Sequence, residues 1–286
     1  MRQQFRDTVM HLAAADESIV LLFGDVSVYL FNEFQNRYPD RFYNLGICEN
    51  TLVSVGAGLS AQGFTPFIHT ITPFLTERSY EQIKLDLCYN RFLGNIVTCG
   101  ASFDYAWDGA THHSFTDLAI LRLLPNTEVL QPGSLKELDI LLKNQYRNDK
   151  TTYYRLSDHP HKVEVPVEFG KGVTIQDRQA SLTVMTAGPI LGNVLEAVKD
   201  LDVNLVYFHT IKPIDHAIIS HFGHTKIVVV HDAFGLYEAI CEVPGIDTSY
   251  YGLGDNFCSC YGTLPQIREK VGLNITGIKN HLRKLA

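Results

Sequence analysis

A single carboxylate, Glu49, heads the helix-like part of FYNLGICENTLVSVGAGLSAQG (residues 42–63), where every other side chain is apolar, small or neutral. An acid at a helix start either caps the helix, favoured by the helix dipole, or does proton chemistry. Apolar surroundings disfavour its charged form and suit it to sharing a proton with a nitrogen base. A second group lies in WDGATHHSFTDLAILRLLPNTEVLQP (residues 107–132), where Asp108, Thr111, His112 and His113 crowd a glycine-containing loop. Adjacent histidines rarely both face a core, so one is expected to face a cleft. General acid–base work or substrate hydrogen bonding fits better than a metal, for which no further ligands stand at suitable spacing. A plain solvated loop competes with that reading. The third group, Cys258-Ser259-Cys260, lacks a second pair at zinc spacing and reads as reduced structural thiols. The Gly56-x-Gly58 pair fails the dinucleotide spacing, since Ala61 stands where the third glycine belongs. Small residues over 54–61 suit close packing of this helix against another backbone instead.

The elements that must position these residues alternate between short apolar runs and amphipathic ones. SIVLLFGDVS, FYNLGIC, TPFIHTIT, NIVTCG, TEVLQP and TTYYRLS read as strands. Between them FRDTVMHLAAA, residues 28–37, NTLVSVGAGLSAQG, FLTERSYEQIKLDLCYN, TDLAILRLL and SLKELDILLKNQY read as helices. A long loop is expected through 101–113. Uniformly apolar strands between helices predict parallel sheets covered on both faces, an α/β fold of two three-layer α/β/α domains. The polar, Pro- and Gly-containing stretch 157–180 breaks the rhythm. The expected division is therefore a first domain over 1–160, a linker over 161–180 and a smaller α/β domain over 181–286.

The 286 residues are 45% hydrophobic and 19% charged, a globular profile long enough for about two domains. A net charge of −7 with scattered basic residues argues against a nucleic-acid or anionic membrane surface. No run approaches a membrane span, the amino terminus has no signal-peptide core, and six cysteines are spread thinly. A soluble cytoplasmic protein is expected.

The run from FYNLGICEN through SYEQI, followed by DGATHHSFTDLAILRLLPNTEVLQP, resembles the pyrimidine-binding domain of the transketolase family of thiamine diphosphate enzymes. The later TIKPID, HDAFGLYEAI and YGTLPQIREKVGLN are similar to that family's C-terminal domain, so the resemblance spans nearly the whole chain. It is closest to the C-terminal subunit of two-piece transketolases. The resemblance implies that Glu49 shares a proton with the aminopyrimidine ring of the cofactor and that Phe74 stacks on it. Ile71 falls where a second aromatic is common, and Asp25 where an acid lies near the thiazolium. By the same resemblance His112 contacts the substrate oxygen, Asp108 binds a donor hydroxyl, and Arg155 and Arg2 clamp a sugar phosphate. His113 replaces a common glutamine, as in deoxyxylulose-phosphate synthases, and belongs with the substrate-binding set. Gly100 stands where relatives carry a second histidine, so an altered donor pocket is expected.

The family's Gly-Asp-Gly motif for magnesium is missing; this chain reads Gly24-Asp25-Val26 and Gly254-Asp255-Asn256. The resemblance therefore implies no metal ligands here. An N-terminal-half partner subunit would hold Mg2+ and the diphosphate, most simply as α2β2. The expected reaction is transfer of a two-carbon ketol unit between sugars or sugar phosphates. The rivals are a subunit of a 2-oxo acid decarboxylase or dehydrogenase, a deoxyxylulose-phosphate-synthase-like carboligase, and a non-catalytic regulatory subunit.

Overall fold

The computed structural model describes residues 1–285. Two sheets organise the chain. The first has seven strands: β1 Ile19–Phe23, β2 Phe42–Asn44, β3 Thr65–Ile71, β4 Gly94–Cys99, β5 Thr127–Leu130, β6 Thr151–Arg155 and β10 Thr210–Lys212. Their spatial order is β10-β5-β6-β4-β3-β1-β2, all parallel except β10, which runs antiparallel to β5. β1, β4, β5 and β6 are buried at every position, as strands covered on both faces by crossover helices must be. The second sheet holds β7 Gly172–Gln176, β8 Leu182–Ala187, β9 Asn204–Phe208, β11 Lys226–Val230 and β12 Thr248–Tyr251, in the order β12-β11-β8-β9-β7. Only β7 is antiparallel there. Both sheets are thus α/β, as the alternation of apolar runs predicts.

Three features depart from the sequence reading. The segment expected as a linker contains β7, whose residues pair with β9 from Gly172↔Phe208 onward. β10 comes from the second half of the chain yet completes the edge of the first sheet, so the halves share a sheet as well as a boundary. FLTERSYEQIKLDLCYN breaks into Thr72–Thr76, Tyr80–Gln82 and a π-helical stretch Ile83–Tyr89. At the first break the amide of Arg78 donates to Pro73 O at 3.3 Å, and Asn50 Nδ2 donates to the carbonyl of Arg78 at 3.2 Å. A side chain from a neighbouring helix thus takes up a carbonyl that the interrupted helix leaves free.

One apolar cluster runs from Leu52, Val53, Ile68 and Tyr153 across to Val206, Phe208, Ile227 and Ile240. The core is therefore continuous between the two sheets. Helix Glu49–Ala61 packs on β3 through Gly56, where an added Cβ would stand 2.5 Å from Ile68 Cδ1. The small residues expected to serve close packing are split in use. Gly56 and Ala57 are buried inside the chain, while Ser54 and Gly58 stay exposed.

Candidate active site

Strand ends supply the site. In an open parallel sheet the crevice beyond the C-terminal strand ends is where ligands bind. Asp25 follows β1, Glu49 follows β2, Ile71 ends β3, the Gly100–His113 loop follows β4, and Arg155 ends β6. The crossovers are local consequences of apolar strands feeding helices, so the chemistry-bearing residues converge on one edge.

Glu49 is the first residue of its helix and is 2% exposed. Cys48 precedes it without making a side-chain cap. The Glu49 carboxylate accepts a hydrogen bond from Arg78 Nη1 at 2.8 Å, within an ion pair. The Arg78 guanidinium lies 4.6 Å from the centroid of the Phe74 ring. Phe74 in turn meets the His112 imidazole edge-on, with centroids 5.0 Å apart. Glu49, Arg78, Phe74 and His112 thus form one continuous line of contacts. The His112 ring nitrogen Nδ1 shares a hydrogen bond of 2.9 Å with Thr111 Oγ1, and its far side faces Tyr105 at 6.1 Å.

The two histidines separate as their adjacency predicts. His112 is half-buried and faces the line above, while His113 is buried against Phe103 at 5.1 Å and Phe115 at 5.7 Å. Burial, and then the neighbouring His112, lower the affinity of His113 for a proton. His113 therefore stands apart from the substrate-binding group in which the sequence reading placed it. Asp108 is exposed on the loop that carries His112, and Gly109 beside it has φ +74°, with the Tyr261 ring packed over its Cα.

Arg155 is the clearest correction. It is fully buried, with Nε bonded to Asp117 Oδ2 at 2.7 Å, Nη2 to Asp117 Oδ1 at 3.2 Å, and Nη1 to Ser102 Oγ at 3.1 Å. Burial alone would push the Asp117 carboxyl up, but the Arg155 charge and hydrogen bonds hold it below its ordinary value. A bidentate buried pair of this kind is structural, and a phosphate could reach Arg155 only by displacing Asp117. Arg2 pairs with Asp158 at 3.0 Å and lines a surface cavity of about 290 Å3 with Tyr29, Leu135 and Asp158. Asp25 is exposed, has φ +63°, and exchanges hydrogen bonds of 3.0 and 3.1 Å with Asn44. Ile71 immediately precedes the helix that carries Phe74.

The sequence reading missed three participants. Arg78 lies in the turn just after the helix that carries Phe74, and reading that segment as one continuous helix hid its contact with Glu49. Tyr105 covers Gly100, where an added Cβ would stand 2.3 Å from the ring. Asp104, within the same loop, accepts from Ser157 Oγ at 2.9 Å and from the Asp158 amide at 2.8 Å.

Residues 1–159 match the family described as "Transketolase, pyrimidine binding domain". The chain belongs to that family. Solved structures extend the likeness to the second half. A structure described as "Split gene transketolase, inactive beta4 tetramer" superposes with a TM-score of 0.87 at 27% identity, covering 99% of this chain and 97% of that one. The transketolase of Campylobacter jejuni has the same fold, with a TM-score of 0.83 at 18% identity, over 98% of this chain and 46% of that one. A 33.6 kDa protein of the fasciation locus of Rhodococcoides fascians is 32% identical over 220 residues, covering 74% of this chain and 67% of that protein. The 1-deoxy-D-xylulose-5-phosphate synthase of Azoarcus sp. is 31% identical over 297 residues, covering 96% of this chain and 47% of that enzyme. This transketolase-family chain thus spans about half the length of the synthases it matches.

The family implies thiamine diphosphate, and the residues present fit its aminopyrimidine end. A buried carboxylate and an aromatic face already hold a planar cation between them, the acceptor and the stacking face that such a ring would use. Among the described residues there is no group of three or more His, Cys, Asp or Glu that could hold a metal ion. No helix among them is long and apolar enough to cross a membrane.

Proposed function

We propose that this chain is the C-terminal, beta-type subunit of a two-component, thiamine-diphosphate-dependent transketolase. It transfers a two-carbon ketol unit between sugars or sugar phosphates and works only beside an N-terminal-half subunit. The observation that carries the reading is the convergence of buried Glu49 with half-buried Phe74 and His112 at the strand ends. When bound, the cofactor supplies a nucleophilic carbon and an electron sink for cleaving the ketose carbon–carbon bond. Glu49 would hold the ring nitrogen and share its proton, Phe74 would carry the ring face, and His112 would hydrogen-bond the substrate oxygen. Asp108, exposed on the loop that carries His112, would meet a donor hydroxyl.

The metal and diphosphate end is assigned to the partner, in an α2β2 assembly. Two observations support an incomplete site. Ile47, 76% exposed, and Tyr89, 79% exposed, stand with Val55 and Leu85 as uncovered apolar side chains on elements beside Glu49. Exposed apolar side chains of this size support a docking surface. The neighbour described as inactive is moreover a tetramer of beta chains.

Calorimetric titration with thiamine diphosphate and magnesium is the test. Binding should be weak to this chain alone and strong once the N-terminal-half subunit is added; tight binding by the isolated chain defeats the reading. Glu49→Gln in the assembled enzyme should lower turnover by at least about a hundredfold with assembly unchanged. Several relatives are 1-deoxy-D-xylulose-5-phosphate synthases, which favours a carboligase as the second reading. Formation of 1-deoxy-D-xylulose 5-phosphate from pyruvate and glyceraldehyde 3-phosphate, with release of carbon dioxide and no ketol transfer, would select it.

A further inference from the structure

We propose that Arg78 is a built-in placeholder: its guanidinium fills the seat of the cofactor's aminopyrimidine ring and must leave before that ring can be held. The inference rests on the reading of Glu49 and Phe74 given above. A carboxylate as buried as Glu49 needs a partner, because an unpaired buried charge is strongly disfavoured. Arg78 provides one, with Nη1 at 2.8 Å from Glu49 Oε2. The same guanidinium lies over the Phe74 ring, 4.6 Å from its centroid. A guanidinium is planar, delocalised and weakly hydrated, so it can donate in its plane and stack on its face at the same time.

A protonated aminopyrimidine makes the same two demands, an in-plane N–H toward a carboxylate and a flat face against an aromatic ring. The seat can satisfy one planar cation but not two. A 2.8 Å contact leaves no atom's width between Arg78 and Glu49, and the guanidinium covers the ring face that stacking would use. The exit is open, since the Arg78 side chain is 49% exposed. Its backbone is held by Asn50 Nδ2, which donates to its carbonyl at 3.2 Å, so only the side chain has to move. Until it moves, the competent seat is a minor state, and the apparent affinity for the ring falls by the occupied-to-open ratio. For a charge-assisted bond to a buried acid that ratio is about ten. The arrangement keeps Glu49 satisfied in the chain before the cofactor arrives.

Ligand-detected NMR titration of the chain with the aminopyrimidine alcohol that forms one half of thiamine tests this directly. Arg78→Ala and Arg78→Met should each bind the probe about tenfold more tightly than the wild type. Adding Glu49→Gln should remove that gain. Arg78→Ala should also melt at a lower temperature without the probe and show a larger probe-induced rise, which a purely structural arginine would not produce. Equal or weaker binding by both variants, with Glu49→Gln alone weakening the wild type, overturns the placeholder and leaves the Glu49 reading intact. A gain that survives Glu49→Gln overturns the Glu49 reading and the placeholder with it. Absence of binding by every variant at millimolar probe likewise overturns the seat.

Discussion

Asp104 shows what burial does to a carboxyl that has no cation against it. Burial is the largest influence and pushes it up to about 7, although the Asp158 amide and Ser157 hydroxyl oppose the rise. In the unfolded chain the same group titrates near its ordinary value of 3.8. A folded value above the unfolded one means the native state holds the proton more tightly. The stability this contributes is fully present below the unfolded value and is lost as pH rises through about 7. Asp104→Asn removes the titration while keeping one acceptor. The melting temperature of the variant minus that of the wild type should therefore climb between pH 4 and 8 (about the window set by these two values). A flat difference would show that Asp104 ionises freely. His69 acts in the opposite direction. Burial pushes its imidazole down to about 4, so the unfolded chain takes up the proton first and stability falls as pH drops below about 6.5. At this scale the family resemblance pointed to Glu49, Phe74, Asp108 and His112, and the structure joins Glu49, Phe74 and His112 in one line of contacts through Arg78. The charge partner Arg78 was not legible.

At the scale of elements, apolar runs were a sound guide wherever a strand is covered on both faces. They were a poor guide to helix continuity. The break at Glu77–Ser79 carries no proline or glycine; it is stabilised by Asn50 reaching across from another helix. β7 also escaped notice, since its half-exposed GVTIQ lacks the continuous apolar signal of the central strands. The contact between helices Asp117–Arg122 and Leu236–Cys241 is set by Gly235, whose φ is +124° and whose added Cβ would stand 2.9 Å from Leu118 Cβ and 3.0 Å from the Ala119 amide. Gly235→Ala must strain the backbone or separate the helices, and should destabilise the chain by about 2–4 kcal/mol. Urea unfolding with an unchanged slope would measure it. A loss below about 0.5 kcal/mol would mean that the contact is soft.

Across the whole molecule, the two halves are bound by more than a linker. β10 closes the first sheet against β5, with the Gln131 amide bonded to His209 O at 2.9 Å. Tyr207 OH donates to Glu137 Oε2 at 2.6 Å, and one apolar cluster includes residues of both sheets. Heat unfolding should therefore give one transition with equal calorimetric and van't Hoff enthalpies. A fragment ending at residue 160 should fail to fold stably, since it would lose β10 and bare the edge of β5. Two resolved transitions would contradict the shared core.

The amino-acid sequence by itself determined the α/β alternation and carried the motifs that mark the family. Each of these is written in local spacing, which the chain carries with it before folding. Only the tertiary structure decided which charges meet. Glu49 and Arg78 are 29 residues apart, and Asp117 and Arg155 are 38 apart. Periodicity says which face a side chain takes, but nothing about which distant ion will share its burial. That is why Arg155 passes from expected phosphate clamp to buried strut, and why Arg78, unremarked in the sequence, stands in the seat that Glu49 and Phe74 form.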